Sequence, residues 1–192
     1  EEAVIGGAVS QFINFEQFAK SGRVSYEIIT EMTIADVQVD DGLLKVNSTV
    51  TAPITVNRSG TLGGSGVIRG NVFVSGGLNA GNSPGVLTIN GDLTLDMGSL
   101  FTVEYNAEAF DQVVVTGTAL LEDGGLELVP LGDNIFGEFS LEVLSAGTLT
   151  GTFGGLDAPS FINVVERYEE NSLFLDISTE IGNGVALNGQ SQ

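Results

Sequence analysis

The chain predicts an all-β, elongated fold: a parallel β-helix (β-solenoid) closed at its C-terminal end by an antiparallel β cap. Three observations carry this. A short phrase returns at a nearly constant step, the strands around it are only three to five residues long, and longer alternating strands appear after Gly124. The phrase is a pair of apolar residues flanking a third position, followed by Gly and Leu. It reads Val37-Gln38-Val39 with Gly42 and Leu44, Ile54-Thr55-Val56 with Gly60 and Leu62, and Val72-Phe73-Val74 with Gly76 and Leu78. Leu93-Thr94-Leu95 with Gly98 and Leu100 follows, then Val113-Val114-Val115 with Gly117 and Leu120. Self-similarity at a step of roughly 20 residues marks stacked coils, so function is sought in length and surface rather than in a pocket.

Taken in order, the first stretch, to about Glu31, is the least regular. Phe12, Phe15, Phe18 and Ala19 fit a short amphipathic helix by spacing, or an irregular opening coil with the rings stacked inside. Tyr26-Glu27-Ile28-Ile29-Thr30 reads as a strand and favours the second. From about Thr33 to Leu121 the repeat rules, with Val, Ile and Leu between Gly, Asn, Asp and Ser turns. Coils stacking at about 4.8 Å give this body a length of roughly 25 Å. Glycines of the phrase are expected to take positive φ or to let the neighbouring coil pass closely.

Beyond Gly124 the apolar positions Leu126, Leu128, Phe139, Leu141, Val143 and Leu149 alternate in longer strands, and Ser172 to Ile177 makes a strong final one. Gly132-Asp133-Asn134 and Glu169-Glu170-Asn171 separate them. Such strands suit antiparallel hairpins that close an otherwise open edge. The expected organisation is a stem over 1–121, with irregular opening coils at 1–32. A cap follows at 122–181, and 182–192, rich in Gly, Asn, Gln and Ser, reads as a flexible linker or tail.

Composition narrows the function. The 192 residues carry 25 acids against six bases, a net charge of −19. That charge disfavours nucleic acid and anionic membrane surfaces as partners. Without Cys there is no disulfide framework, and without His the commonest general base and metal ligand are missing. No apolar run approaches the roughly 18 residues of a membrane helix. The opening Glu1-Glu2, with no leader pattern, reads as a mature or excised fragment.

Candidate chemistry is sparse. Asp36, Asp40 and Asp41 surround the first phrase, Asp92 and Asp96 the fourth, and Glu122-Asp123 follow the fifth. Carboxylates so placed serve polysaccharide cleavage or calcium in β-helix enzymes, but every one sits at a turn, where solvated acids are the ordinary expectation. Gly63-Gly64-Ser65-Gly66 lacks the Asp of a calcium nonapeptide. With Gly70 it approaches a dinucleotide fingerprint, but at the wrong spacing and with no following helix. Asn47-Ser48-Thr49 and Asn57-Arg58-Ser59 are glycosylation sequons by form only. Lys20 and Lys45 lack context for serine–lysine chemistry. Phe12, Phe15, Phe18, Phe136, Phe139, Phe153 and Phe161 are expected to fill coil interiors and the cap, the alternative being an exposed adhesive patch. No catalytic, cofactor-binding or metal residue is assigned, and no cofactor is expected.

Residues 60–105 resemble the passenger-associated repeat of bacterial autotransporters, which carry a G-x-L-x-G-x-G phrase and a P-G-N-S-P-G-x-L-T-x-x-G-D turn. Here that turn reads Ala80-Gly81-Asn82-Ser83-Pro84-Gly85-Val86-Leu87-Thr88-Ile89-Asn90-Gly91-Asp92, with Ala80 in place of the usual Pro. Asp111 to Ala119 is similar to the family's D-x-L-x-V-x-G-x-A, with Gly124 to Leu126 beyond it. Leu144-Ser145-Ala146-Gly147 with Gly151-Thr152-Phe153 resembles its I-L-x-A-x-x-x-x-x-G-x-F, and Phe12 to Glu16 resembles an upstream phrase.

The resemblance implies a right-handed β-helix stem with its autochaperone region, type V secretion, and a place at the cell surface, attached to the outer membrane or released. It implies a non-enzymatic role: displaying an N-terminal effector or adhesin region and nucleating folding during export. The partner would be the protein's own C-terminal translocator β-barrel, whose alternating spans this chain lacks. A host-cell surface or sister molecules would be further partners if the rod is itself an adhesin. A polysaccharide lyase or hydrolase is the third reading. The strongest nucleus by sequence lies after residue 98, so Ser at Leu141, Val143 and Phe174 is expected to reduce surface delivery more than Ser at Val37 and Val39.

Overall fold

Along nearly every strand Val, Ile, Leu or Phe alternates with Thr, Ser, Asn or Gln, and a period of two turns one side inward and the other to solvent. In the structure, a computed structural model, the described residues are 2–5, 12–82, 84–132 and 137–179, with backbone alone given for 2–5 and 12–15. The expected tail at 182–192, Asp133 and Asn134 of the expected turn, Ser83 and Phe136 lie outside the described residues. The described chain forms 22 strands and no helix, in one sheet of 13 strands and one of nine.

The path is a coil repeated. Val37–Val46 serves two stacks at once: its first half pairs with Phe18–Lys20 and the start of Ile54–Gly64, its second half with Ser25–Ile28 and the end of Ile54–Gly64. Thr49–Thr51 then enters a third stack between Met32–Ile34 and Val67–Arg69. All these pairings are parallel. Val72–Val74, Gly77–Ala80 and Val86–Asn90 trace the same circuit one level on, followed by Leu93–Leu95, Leu100–Tyr105 and Gln112–Val115. Val37–Val46 and Ile54–Gly64 run to 10 and 11 residues, longer than the expected three to five, because pairing continues around the corner at Gly42 and Gly60. Among the described residues of the opening stretch the backbone is strand rather than helix, and Phe12–Phe15 pairs parallel with Met32–Ile34.

Four of the five expected rungs stack directly: Val37 on Ile54, Ile54 on Val72, and Val72 on Leu93. The fifth does not. Val113–Val115 belongs to the third stack, between Leu87 and Leu144, and the rung above Leu93 is Ala119, then Leu149. The ladder therefore runs Val37, Ile54, Val72, Leu93, Ala119, Leu149, and its steps lengthen toward the C-terminal end. The coil after Leu93 is enlarged by a fold-back in which Tyr105 bridges Phe110, so the constant step of the phrase stops one strand short.

The inward rows make one continuous core. Val39, Val56, Val74 and Leu95 form one row, and Leu44, Leu62 and Leu78 another that passes to Phe101 and Leu126. All are buried. As coils lengthen, larger side chains fill them: Phe101 stacks on Phe153 at 6.0 Å, and Tyr105 meets Phe139 edge-on at 6.3 Å. Parallel pairing also runs past the boundary expected at 121, through Thr148–Thr152 and Gly155–Asp157. The change to antiparallel comes only in the third stack, where Glu138–Ser145 accepts Ser172–Thr179, which in turn pairs with Ile162–Tyr168. Leu126 and Leu128 thus belong to a parallel rung, because Gly125–Pro130 aligns with Leu100–Tyr105.

Close passage at the corner sets the side-chain requirement. A Cβ on Gly60 would sit 2.3 Å from the Val39 carbonyl oxygen of the coil beside it, whereas one on Gly155 would meet nothing within 4 Å. Gly60→Ala is expected to cost about 2–3 kcal/mol by forcing the coils apart, and Gly155→Ala to stay within about 0.5 kcal/mol. Denaturant unfolding of the two variants checks this pair.

Candidate functional site

A stacked coil offers three places for function: its corners, its outer faces and its ends. The corner acids are occupied in holding turns. Asp36 accepts from Gln38 Nε2 at 3.2 Å and Gln17 Nε2 at 3.3 Å, and Asp40 from Asn57 Nδ2 at 2.6 Å. Asp92 Oδ1 accepts the Thr118 N–H at 2.8 Å, and Asp96 accepts the Gly98 N–H at 2.7 Å and the Ser75 hydroxyl at 2.5 Å. Gln38 and Gly98 are local partners, while Gln17, Asn57, Thr118 and Ser75 belong to neighbouring coils, so these acids clamp coil to coil as well as shaping turns. Asp41 contributes its carbonyl, not its carboxylate, to Lys20. Asp123 holds a left-handed φ of 55° at the turn after Glu122, and its N–H donates to Thr152 O at 3.2 Å. Among the described residues no three His, Cys, Asp or Glu side chains gather in a way that could hold a metal ion.

Lys20 is fully buried, and its ammonium donates to the carbonyls of Asp41 at 2.7 Å, Gly22 at 2.5 Å and Ser21 at 3.3 Å. It stands 5.0 Å from the Tyr26 ring, so a charge unusual for an interior is cupped by carbonyl dipoles and an aromatic face. Asn47 is a bracket: its Nδ2 donates to Glu27 Oε1 at 2.6 Å, and its Oδ1 accepts the Ser65 N–H at 2.9 Å and Asn82 Nδ2 at 2.8 Å. Gly63 and Gly64 floor an open groove of about 290 Å³ rimmed by Leu43, Lys45, Asn79 and Asn82.

The aromatic set divides. Phe153 is buried, Phe18 and Phe139 pack partly against the core, and Phe161 is 53 % exposed. The side chains of Phe12 and Phe15, and all of Phe136, lie outside the described residues.

The C-terminal end carries the densest side-chain network. On the outer face of the antiparallel sheet, Arg167 Nε donates to Asp176 Oδ2 at 2.8 Å, Arg167 also pairs with Glu169, and Asp176 Oδ1 accepts the Ser140 hydroxyl at 2.5 Å. The Arg167 bond, with help from Ser140, holds the Asp176 carboxyl below the usual carboxylate range, and the same contact raises Arg167. Phe174, grouped with Leu141 and Val143 in the expected nucleus, lies on this outer face with the Arg167 guanidinium 4.2 Å from its ring centre, while Leu173, Leu175 and Ile177 point inward. The alternation of Ser172 to Ile177 holds, and the strand pairs antiparallel with Glu138–Ser145, where a bulge falls between Glu142 and Leu144. Across the end, Tyr168 Oη accepts the Phe153 N–H at 3.0 Å and donates to Glu166 Oε2 at 2.5 Å, and burial, then that carboxylate, pushes its pKa upward.

Asp111 and Tyr168 are structural polar groups that candidate-site reasoning from sequence missed, and Lys20 was weighed there only for serine–lysine chemistry. For Asp111 there was a signal, an acid placed directly before an apolar strand; for Tyr168 the partner is the Phe153 backbone, which no side-chain pattern reveals. No protein-family model matches this chain, and no curated protein matches it.

Removing the tyrosine hydroxyl leaves the Phe153 N–H without its acceptor. Tyr168→Phe is expected to lose about 1–2 kcal/mol and to speed amide exchange at Phe153. Denaturant unfolding with exchange detected by NMR reads both.

Proposed function

We propose that this chain is a non-enzymatic stem of an autotransporter passenger, a right-handed parallel β-helix that displays an N-terminal effector or adhesin region at the bacterial surface and nucleates folding during export. One observation carries the reading: the stack is polar. Its C-terminal end is tied by two antiparallel pairings of seven residues each, by Phe101–Phe153 and Tyr105–Phe139, and by the Arg167–Asp176–Ser140 network. Its outermost N-terminal pairings are parallel and only three or four residues long, with the eight-residue pairing of Val37–Val46 and Ile54–Gly64 next to them. Stacking energy is nearest-neighbour, so a strong terminal rung templates the next and order spreads away from it. A segment that emerges first and folds first makes retreat of the following chain unfavourable. Right-handedness is supported by the near-universal hand of parallel strand crossovers within a sheet.

In this reading the partner is the protein's own translocator β-barrel, and the location is the cell surface or the medium after release. The use of Asp36, Asp40, Asp92 and Asp96 as turn clamps supports a scaffold over a polysaccharide-cleaving enzyme. Ser at Leu141, Val143 and Leu175 of the full-length protein is expected to reduce surface yield several-fold more than Ser at Val37 and Val39; Leu175 replaces Phe174 because it is the inward residue. Equal yields would remove the folding-nucleus role.

A second reading, a self-associating rod, has one observation in its favour. Thr148–Thr152 pairs with Thr118–Glu122 on one side and carries no charge or proline, the usual devices that blunt an edge. Sedimentation separates the two: a stem stays monomeric, and an associating rod gains mass with concentration.

A further inference from the structure

At the C-terminal end of the stack, among the described residues, three strands close their sheets: Thr148–Thr152, Gly155–Asp157 and Ile162–Tyr168. A bare edge is a row of unmet N–H and C=O groups that pairs with another chain unless something blunts it. Two of the three are blunted by their own residues. Gly155–Asp157 is three residues long, ends on a carboxylate and is followed by Pro159, and Ile162–Tyr168 carries Glu166 and Arg167. Thr148–Thr152 has neither charge nor proline, and it is the edge against which Tyr168 and the hairpin tip at 169–171 are set.

The contacts fall on the outward amides of that edge. Thr148 N–H donates back to Gly117 O at 3.2 Å, and Thr152 O accepts the Asp123 N–H at 3.2 Å, both toward the preceding coil. Backbone groups alternate in direction along a strand, so Leu149, Gly151 and Phe153 turn theirs the other way. Phe153 N–H donates to Tyr168 Oη at 3.0 Å, and Leu149 N–H to Glu170 O at 3.4 Å. Each acceptor stands where the carbonyl of an added strand would come. The tip is itself held in place: Glu169 N–H donates to Ser172 O and Ala146 N–H to Asn171 O, both at 2.8 Å, and Tyr168 donates to Glu166 Oε2 at 2.5 Å.

We propose that Tyr168 and the 169–171 tip form an edge guard, an intramolecular strap that occupies the strand-addition site of Thr148–Thr152 and keeps a second copy of this chain from pairing there. An identical strand is the partner the edge fits. About a two-fold axis through Thr150, antiparallel pairing sets Thr148 opposite Thr152, and Thr150 opposite its own counterpart. Leu149, partly packed against the core, then has only Gly151 across from it. No charge within the strand meets its like, Thr–Thr pairs suit such a ladder, and an isologous contact of this kind closes after two copies. The guard supplies from another segment what the other two edges carry in their own residues. The inference concerns this edge alone and does not depend on the secretory role.

Sedimentation of the wild type, Tyr168→Ala and the double variant Tyr168→Ala/Thr150→Lys over one concentration series tests the guard. The wild type is expected to stay monomeric and Tyr168→Ala to approach twice the monomer mass. The added lysine is expected to restore the monomer, because two ammonium groups then face each other across the axis. Gly60→Ala, weakened far from this edge, is expected to stay monomeric, which separates a lost guard from lost stability. A monomeric Tyr168→Ala, association that survives Thr150→Lys, or equal association of Gly60→Ala would overturn the proposal. A wild type that already gains mass would also overturn it, while leaving the self-associating rod standing. If Tyr168→Ala does not fold, amide exchange in the wild type decides: Leu149 and Phe153 are expected to be protected about tenfold more than Gly151 between them, and equal protection would overturn the guard.

Discussion

Parallel backbone pairing between successive coils is the constraint on which everything else rests. Each coil satisfies its N–H and C=O groups with the coil before and the coil after, so no isolated coil can be stable and no rung can shift without breaking two ladders. That fixes the composition. Inward positions are held by Val, Ile, Leu and later Phe, because each must cover its counterpart at about 4.8 Å. Corners are held by Gly, because the neighbouring backbone passes where a Cβ would stand. The polar side chains at the corners then complete what the ladders leave open, as Asp96 does for Gly98 and Asp92 for Thr118.

A stack of this kind has two different ends, and the difference has mechanical meaning. At one end Phe18–Lys20 makes a short pairing with Val37–Val46. At the other, the lengthened coils leading to Ala119 and Leu149 enclose aromatic rings, and the chain turns back on itself in antiparallel strands. Longer coils bury more apolar surface per rung, and the antiparallel strands carry one of the three stacks on to a new edge at Ile162–Tyr168. The proposed export role draws on that asymmetry rather than on any individual residue. A scaffold that folds from its strong end converts chain emergence into directional gain, and it needs no catalytic group to do so.

Much of the architecture was legible because the repeat is direct. Val37, Ile54, Val72 and Leu93 share both a phrase and a ladder, since no insertion separates their coils. Val113 shares the phrase but not the ladder. Its coil carries the Tyr105–Phe110 fold-back, and a periodic reading cannot tell an inserted loop from a completed turn. Phe174 shows a different limit: Ser172 and Asp176 mark its face as the outward one, but the Arg167 guanidinium that covers its ring comes from another strand and leaves no trace in the alternation. The polar sites were harder still. Lys20 and Tyr168 bond to backbone groups of other segments, and Asp111 bonds to the amides of Gly85 and Glu104 on two different stretches. Such partners are defined by the fold and carry no side-chain signature.

The most direct measurement of the polar stack is residue-resolved native-state hydrogen exchange at neutral pH. Stacking from a strong C-terminal end predicts the highest protection in Glu138–Ser145 and Ser172–Thr179 and the lowest in Phe18–Lys20 and Ser25–Ile28. Uniform protection along the chain, or a gradient of opposite direction, would contradict it.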